Sequence, residues 1–248
     1  MLSENILTFN TAFNTLHELL IDILNTNDKK DFSMCLAELP GRTHDSLLYA
    51  RINDRFYSEM KTINAIRNII IHKSDWIELP EFTLQKIQSI HDAIVELRTK
   101  LDAKAIDVFA KKVYICRDTD LLHIVVGILG ERGFTHIPVY SEKWEFRWVI
   151  SEKLIALWLS KQSKAGDMNN FHEIRIQDIM IDTTHHEYVF IPSDSPVSSI
   201  ESYFSSYMKE RKKLGAIYLT ASGDENEWID GMVTAWDLPL IYRKEELF

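Results

Sequence analysis

The sequence contains few of the residues that mark disulfide-rich, zinc-binding or membrane-spanning proteins. Among 248 residues there are only two cysteines, Cys35 and Cys116, which lie far apart and form no CxxC pair. This argues against a disulfide framework and against a zinc site. No apolar run approaches the roughly 18–20 residues that cross a bilayer, and the first ten residues lack the basic and apolar segments of a secretory signal. We therefore expect a soluble, cytoplasmic protein with no membrane contact.

Positive charge is also scarce. The chain has 28 Lys and Arg against 37 Asp and Glu, a formal net charge of −9. Such a balance excludes broad, non-specific attraction to nucleic-acid backbones or anionic membranes, so any contact with RNA must be local. Hydrophobic residues at 46% and charged residues at 26% are typical of globular proteins. The length favours two domains over one.

The first hundred residues carry a helical pattern and a single glycine, Gly41. Apolar residues recur at three- and four-residue steps over residues 6–23, 56–70 and 84–101, as on amphipathic helices. Turn-forming residues separate these stretches. The sequence predicts an all-α helical bundle over residues 1–104.

Beyond residue 105 the pattern becomes β-α-β-β-α and occurs twice, in repeats of about 105–165 and 175–248. We predict in the first repeat a strand at 113–116, a helix at 121–132, strands at 135–140 and 146–150, and a helix from Ser151. In the second we predict a strand at 188–192, a helix at 197–213, strands at 216–220 and 228–233, and a final helix from Thr234. Such internal repeats pack against each other. The expected fold class is a multidomain α+β chain.

Three short motifs in this half resemble those of cystathionine-β-synthase (CBS) repeats. DGMVTAWDL (residues 230–238) is similar to the family signature Gly-φ-φ-Thr-x-x-Asp-φ, where φ is apolar. DIM (178–180) resembles the opening of a repeat, and IPV (137–139) resembles the family's φ-Pro-Val. The resemblance covers residues 105–248. It implies a CBS pair (Bateman module) that senses adenine nucleotides and associates as a two-fold dimer.

The resemblance also implies a ligand site. Asp237 would bind ribose hydroxyls, Thr234 and the helix start would approach phosphate, and Ala216, Ile217 and Tyr218 would lie near the adenine. The chemistry is reasonable, because a carboxylate accepts two hydrogen bonds from a cis-diol and a helix start favours an anion. The alternative is that Thr-x-x-Asp is only a capping box. The ligand stays open between AMP, ADP or ATP, S-adenosylmethionine and a cyclic dinucleotide.

The first repeat departs from the signature. Trp148 stands in place of the glycine, and Leu154 stands in place of the aspartate. Ser151 can still cap a helix, but no carboxylate remains for a ribose. We expect this site to be degenerate or differently used.

RNIIIH (residues 67–72) resembles the motif of HEPN domains, helical bundles that include metal-independent ribonucleases. The resemblance covers residues 1–104 and implies that His72 accepts a proton, Arg67 stabilises charge on phosphate, and Asn68 orients His72. Residues five apart on a helix are rotated by about 140°. Either the helix ends or distorts before His72, or two copies of the chain build the site. Alternatively, His72 only suits the helix dipole and Arg67 lies along the apolar stripe with its head in water.

Together these motifs predict an adenine-nucleotide-sensing CBS pair that regulates a HEPN-type ribonuclease acting on single-stranded RNA within a homodimer. Catalysis would need no metal or other cofactor. The alternative is a non-enzymatic sensor whose helical domain dimerises or docks a partner, and a third is an antitoxin-like partner of a nucleotidyltransferase. Activation versus inhibition and the RNA target stay open. We expect the tryptophans to be core and contact residues and His136 to lie in a strand at the repeat interface.

Overall fold

The computed structural model describes residues 4–26, 30–72, 80–165, 171–179 and 187–241. Contacts divide the chain into two compact units, Met1–Asp102 and Ala103–Phe248. None of the described helices is both long and apolar enough to cross a membrane. Both cysteines are buried and unpaired.

Helices are the regular elements of the first unit over its described residues, as predicted. It contains α1 (Glu4–Leu24), α2 (Phe32–Glu38), α3 (Leu47–His72) and α4 (Glu81–Asp102), with a 3₁₀ turn at Leu39–Arg42. Helix α1 contacts the other three helices and buries its apolar stripe among them. Helix α2 was not predicted, because seven residues are too few to show a period. Its start is fixed by Asp31, whose carboxylate accepts a hydrogen bond from the Met34 N–H at 2.8 Å.

The second unit contains two β-α-β-β repeats, which confirms the predicted mixed α+β class. The first repeat has β1 (Cys116–Arg117), α6 (Leu122–Arg132), β2 (His136–Tyr140), β3 (Phe146–Ser151) and α7 (Glu152–Ala165), preceded by a short helix α5 (Ala105–Phe109). The second has β4 (Tyr188–Pro192), α8 (Val197–Lys209), β5 (Ala216–Thr220) and β6 (Ile229–Val233), and 3₁₀ turns at Ile176–Ile179 and Ala235–Ile241 flank it.

The two sheets share one topology and one register. In each, the first strand runs parallel to the second and the third runs antiparallel to it. Both central strands carry a β-bulge at the same place. Trp148 lies opposite Val139 in one sheet as Gly231 lies opposite Leu219 in the other. The structural equivalence of Trp148 and Gly231 therefore matches the alignment of the two repeats made from the sequence.

The segment that precedes each repeat packs on the other repeat. We call residues 103–109 and 174–179 the leading segments. Ala105 in the first donates its backbone N–H to the Ser195 carbonyl of the second repeat at 2.7 Å. Ile176 in the second donates to the Asp120 carbonyl of the first repeat at 2.9 Å. The repeats thus exchange their leading segments.

Three predicted boundaries were wrong. The final helix from Thr234 is a 3₁₀ turn that contains Pro239, which lacks the N–H that an α-helix requires inside it. Helix α8 ends at Lys209 rather than at residue 213, and Arg211 beyond it has a positive φ of 57°. Strand β1 has two residues rather than four, and Ala110, earlier in the same segment, forms a bridge with Gly231 of the other sheet.

Candidate nucleotide site

Thr234 and Asp237 form a closed turn immediately after β6. The carboxylate atom Oδ2 of Asp237 accepts hydrogen bonds from the backbone N–H of Thr234 at 2.7 Å and from its hydroxyl at 2.9 Å. In return, the Asp237 N–H donates to the Thr234 carbonyl at 3.0 Å. These are the local contacts of a cap, so the Thr234 N–H is already used and does not face a phosphate. The second carboxylate oxygen, Oδ1, takes no part in this turn.

Lys111 is the neighbour of Asp237 that sequence reasoning missed. Its ammonium Nζ lies 3.3 Å from Oδ2 and 3.4 Å from Oδ1 of Asp237. The Asp237 side chain keeps 22% of its exposure and the Lys111 side chain 39%, so the pair lies at the surface. The two residues are 126 positions apart in the chain, and no local signal joins them.

Gly231 of the signature explains how Lys111 reaches this place. A Cβ at Gly231 would lie 2.6 Å from the backbone carbonyl oxygen of Phe109, which is too close for any side chain. The missing side chain lets the leading segment lie along the edge of β6, where Ala110 and Gly231 form an antiparallel bridge. Lys111 follows directly. The glycine of the motif therefore serves a close backbone approach.

Ala216, Ile217 and Tyr218, predicted to lie near the adenine, are fully buried in the central strand β5. Burial raises the pKa of Tyr218 well above its ordinary value, with smaller effects from Tyr140 and Tyr188. Its hydroxyl has no hydrogen-bond partner among the described residues. Side chains in this position reach a ligand only if the core opens, so their role as adenine contacts stays a prediction.

The equivalent place in the first repeat contains a helix cap, and no acid stands at the position of Asp237. Ser151 Oγ accepts a hydrogen bond from the Leu154 N–H at 3.2 Å, and the Leu154 side chain is buried. An apolar side chain therefore occupies the position that Asp237 holds in the second repeat. Any ligand here would need other polar groups.

His136 begins β2 and faces the second repeat, as predicted. Its Nε2 would lie 2.1 Å from a Cβ at Gly215, the residue before β5, so only glycine leaves room for the imidazole. Burial lowers the pKa of His136, and the carboxylates of Glu187 and Glu152 offset part of this effect. His185 and His186, which the sequence predicts to form a polar turn before a strand, lie outside the described residues.

The RNIIIH motif lies on α3, which continues without a break to His72. The helix therefore neither ends nor distorts between Arg67 and His72, and the rotation of about 140° between them remains. The Arg67 guanidinium carbon lies 4.8 Å from the ring centroid of the buried Phe13, and Asn68 is exposed. The side chain of His72 lies outside the described residues. Nothing in this geometry tests the catalytic assignment of Arg67, Asn68 and His72, which stays a prediction.

The tryptophans, which the sequence predicts to be core and contact residues, differ widely in burial. Trp158 is buried, but Trp144, Trp228 and Trp236 keep 46%, 71% and 87% of their exposure. Among the described residues, no three His, Cys, Asp or Glu side chains come together as a metal site requires.

The comparisons with known proteins find structural similarity alone. No family model and no curated protein matches the sequence. The chain is similar to the CBS domain pair of protein MJ0100 in complex with 5′-methylthioadenosine and S-adenosyl-L-methionine, with 17% identity, a TM-score of 0.41, and coverage of 56% of this chain and 94% of that one. It is also similar to the CBS domain of a CBS-domain-containing membrane protein from Sphaerobacter thermophilus, with 16% identity, a TM-score of 0.47, and coverage of 62% and 97%. A third match is CBSX2 in complex with AMP, with 12% identity, a TM-score of 0.39, and coverage of 55% and 93%. At these values the similarity concerns chain topology and does not identify a ligand for this chain.

Proposed function

We propose that the second unit is a CBS pair that binds an adenine nucleotide through Asp237. The observation that carries this proposal is that the two carboxylate oxygens of Asp237 have different surroundings. Oδ2 closes the Thr234 turn and Oδ1 takes no part in it, while the Lys111 ammonium lies at the surface 3.3 Å from Oδ2 and 3.4 Å from Oδ1. A ribose cis-diol can donate to an oxygen presented in this way without breaking the turn.

Lys111 is the residue we expect to meet the phosphate. The turn after β6 is a seven-residue 3₁₀ segment, too short to supply much dipole, and the N–H of Thr234 just before it is engaged by Asp237. A lysine ammonium is a mobile point charge that can leave Asp237 as the diol arrives and pair with a phosphate nearby. Asp237 and Lys111 would thus give up their ionic contact, and Asp237 would bind the ribose diol while Lys111 binds the phosphate.

Calorimetry tests the ligand site. AMP, ADP, ATP, S-adenosylmethionine and cyclic di-AMP are titrated into the wild type, Asp237→Asn, and the control Glu131→Gln on the exposed face of α6. We expect at least one ligand to bind the wild type and the control alike, and Asp237→Asn to weaken it about tenfold or more, because a charge-assisted pair of hydrogen bonds is lost.

Two results would contradict the proposal: no heat from any of the five ligands, or equal affinity for the wild type and Asp237→Asn. Lys111→Met adds a further comparison. It is expected to weaken phosphate-bearing ligands and to leave S-adenosylmethionine unchanged, since the latter carries no phosphate.

We further propose that the first unit is a HEPN-type, metal-independent endoribonuclease whose Arg67 and His72 meet across a two-fold dimer. The supporting observation is the continuity of α3, which keeps the two residues on different faces of one helix. A second copy of the chain can bring its own His72 to Arg67. A nucleotide would regulate this activity only if it binds one dimer arrangement more tightly than another.

Subunit mixing tests this arrangement. Single-stranded RNA is incubated with EDTA and the wild type, Arg67→Ala, His72→Ala, the exposed-arginine control Arg55→Ala, and a mixture of the first two variants. We expect the control to retain activity, each single variant to lose it, and the mixture to recover part of it through mixed dimers. Activity that is absent from the wild type, or equal in all variants, would sink the enzymatic proposal.

The alternative is a sensor without catalysis, in which the helical unit dimerises or docks a partner. The position of Arg67 over the buried Phe13 ring favours it, because a guanidinium stacked on an aromatic face stabilises packing. In this case Arg67→Ala lowers the unfolding free energy, and ligand binds without any RNA cleavage.

A further inference from the structure

A cavity of about 290 Å³ opens between the hairpin loops of the two repeats. We call it the aromatic cavity. Its walls come from Trp144 in the β2–β3 loop and from Glu227 and Trp228 before β6, and the side chain of Tyr140 closes it. Val113 and Ile115, from the extended segment before β1, supply apolar surface. Each repeat therefore contributes one loop tryptophan to the same cavity.

The exposure of these tryptophans is not explained by folding. Trp144 and Trp228 keep 46% and 71% of their surface, although their ring centroids lie only 6.2 Å apart. Trp144 also has a positive φ of 63°, which is unfavourable for a bulky residue. Strain and exposed aromatic surface that persist together at a cavity point to binding.

Hydrogen bonds between the loops fix the cavity before any ligand arrives. The Tyr140 hydroxyl donates to the Glu225 carbonyl at 2.9 Å, and the Phe146 N–H donates to Asn226 Oδ1 at 2.9 Å. Both bonds join the first repeat to the β5–β6 loop of the second. The two bonds therefore tie Tyr140 and the start of β3 to the β5–β6 loop, which carries one wall of the cavity.

Glu227 is the charged side chain that lines the cavity. The Glu227 carboxylate is held by the backbone N–H of Ser222 at 2.6 Å and by its hydroxyl at 2.9 Å, and these bonds lower the pKa of Glu227. Burial raises the pKa of Tyr140 to about 12, with further contributions from Glu225 and Asp224. The lowered pKa keeps Glu227 ionised, and the raised pKa of Tyr140 indicates that a second negative charge is disfavoured at its hydroxyl.

One cation already uses the aromatic surface. The guanidinium carbon of Arg117 lies 5.2 Å from the ring centroid of Trp144. Arg117 also donates to the Glu142 carbonyl at 3.3 Å, which holds it on the first repeat. Trp228, in contrast, keeps most of its ring surface open to solvent.

We propose that the aromatic cavity binds a small organic cation of the methylated-ammonium class. Indole and phenol rings attract such a cation through their faces, a nearby carboxylate supplies the counter-charge, and Val113 and Ile115 accept the methyl groups. A phosphate-bearing ligand would instead face the carboxylate of Glu227. The assignment does not depend on nucleotide binding at Asp237, which involves other residues.

Choline and its neutral carbon isostere 3,3-dimethyl-1-butanol form a matched pair of probes for the full-length protein. They have the same shape and differ only in charge. Calorimetry and tryptophan fluorescence are expected to show choline binding, with the alcohol weaker by about tenfold, because a desolvated cation–π contact contributes that much. Failure of choline to bind, or equal binding of the two probes, overturns the proposal.

Variants locate the site. Trp228→Ala removes a wall and Glu227→Gln removes the charge at nearly constant shape, and each is expected to weaken choline about fivefold or more. Trp236→Ala, which removes a tryptophan with 87% exposure outside the cavity, is expected to leave the affinity for choline unchanged. Circular dichroism confirms folding of each variant. If Trp228→Ala weakens adenosine but leaves choline unaffected, the cavity is a platform for a base and the proposal is wrong.

Discussion

At the scale of single residues, two tyrosines in the core of the second unit differ by one hydrogen bond. The Tyr140 hydroxyl donates to the Glu225 carbonyl, whereas the fully buried Tyr218 hydroxyl has no partner among the described residues. A buried polar atom without a partner loses its hydration and gains nothing in return. The same chemical change should therefore have different effects at these two positions.

We expect Tyr218→Phe to leave the free energy of unfolding unchanged or to raise it by up to about 1 kcal/mol. Tyr140→Phe should lower it by about 1 kcal/mol, because a formed bond is lost and the Glu225 carbonyl is left without it. Urea denaturation of the two variants and the wild type measures both changes. A larger loss for Tyr218→Phe than for Tyr140→Phe would show that the Tyr218 hydroxyl does have a partner.

His136 links stability to pH. Burial lowers its pKa in the folded protein, so the unfolded chain takes up a proton more readily than the folded one. The contribution of His136 to the free energy of unfolding is therefore complete above the ordinary histidine pKa of about 6.5. It is lost as the pH falls toward the lowered pKa of the folded protein.

Between about pH 7.5 and about pH 5.5, the wild type should lose more unfolding free energy than His136→Gln, which has no proton to gain at this position. The difference between the two losses isolates His136 from the other titrating groups, which both proteins share. Urea titrations at the two pH values provide the measurement. Equal losses in the two proteins would mean that His136 is protonated without cost in the fold.

The sequence identified Thr234 and Asp237 but could not decide what they do. A cap and a ribose site use the same two residue types at the same spacing. The structure shows the cap contacts on Oδ2 and adds Lys111, a residue from the other end of the unit. Only tertiary pairing of the leading segment with β6 brings that lysine to Asp237.

At the scale of elements, long periodic segments were predictable and short ones were not. Helices α1, α3 and α4 each run for more than 20 residues and carried a clear apolar stripe. Helices α2 and α5, with seven and five residues, carried none and were missed. The 3₁₀ turn after Thr234 was misread although Pro239, which is visible in the sequence, argues against an α-helix.

Gly231 allows the backbone at Phe109 to lie against strand β6, and replacement of this glycine tests its role. Gly231→Ala places a methyl group against the rigid Phe109 carbonyl and is expected to lower the unfolding free energy by about 1–3 kcal/mol. The matched control is Gly127→Ala in α6, where a Cβ would contact nothing within 4 Å. It should stabilise the protein by up to about 1 kcal/mol, because alanine suits a helix better than glycine.

Thermal and urea unfolding compare the two glycine variants. Similar effects of the same sign at Gly231 and Gly127 would contradict a special role for the signature glycine. If Gly231→Ala also weakens binding of the nucleotide that we propose for Asp237, displacement of Lys111 is the physical link.

At the scale of the whole molecule, the order of elements was predictable and the exchange of leading segments was not. A β-α-β-β pattern that occurs twice in the sequence indicates an internal repeat. Nothing in the spacing of residues 103–109 says that they bond to Ser195, more than eighty residues away, rather than to their own repeat. Backbone hydrogen bonds of this kind leave no mark on side-chain periodicity.

Removal of one leading segment should therefore destabilise the distant repeat. A fragment of residues 103–248 is expected to unfold cooperatively, since it corresponds to one compact unit. A fragment of residues 110–248 loses the Ala105–Ser195 bond and the buried Phe109 side chain, and should be less stable by about 3 kcal/mol or more. Circular dichroism during urea titration measures both, and equal stability would show that residues 103–109 are dispensable.

The exchange of leading segments also restricts how such a chain can be inherited or rebuilt. A recombination event that transferred one repeat together with the segment before it would transfer the wrong leading segment. The repeat left behind would then lack the leading segment that packs on it. The pair is therefore the smallest unit that genetic shuffling can move intact. An engineer who wishes to graft this half onto another domain should splice ahead of Ala103 and keep residues 103–248 together.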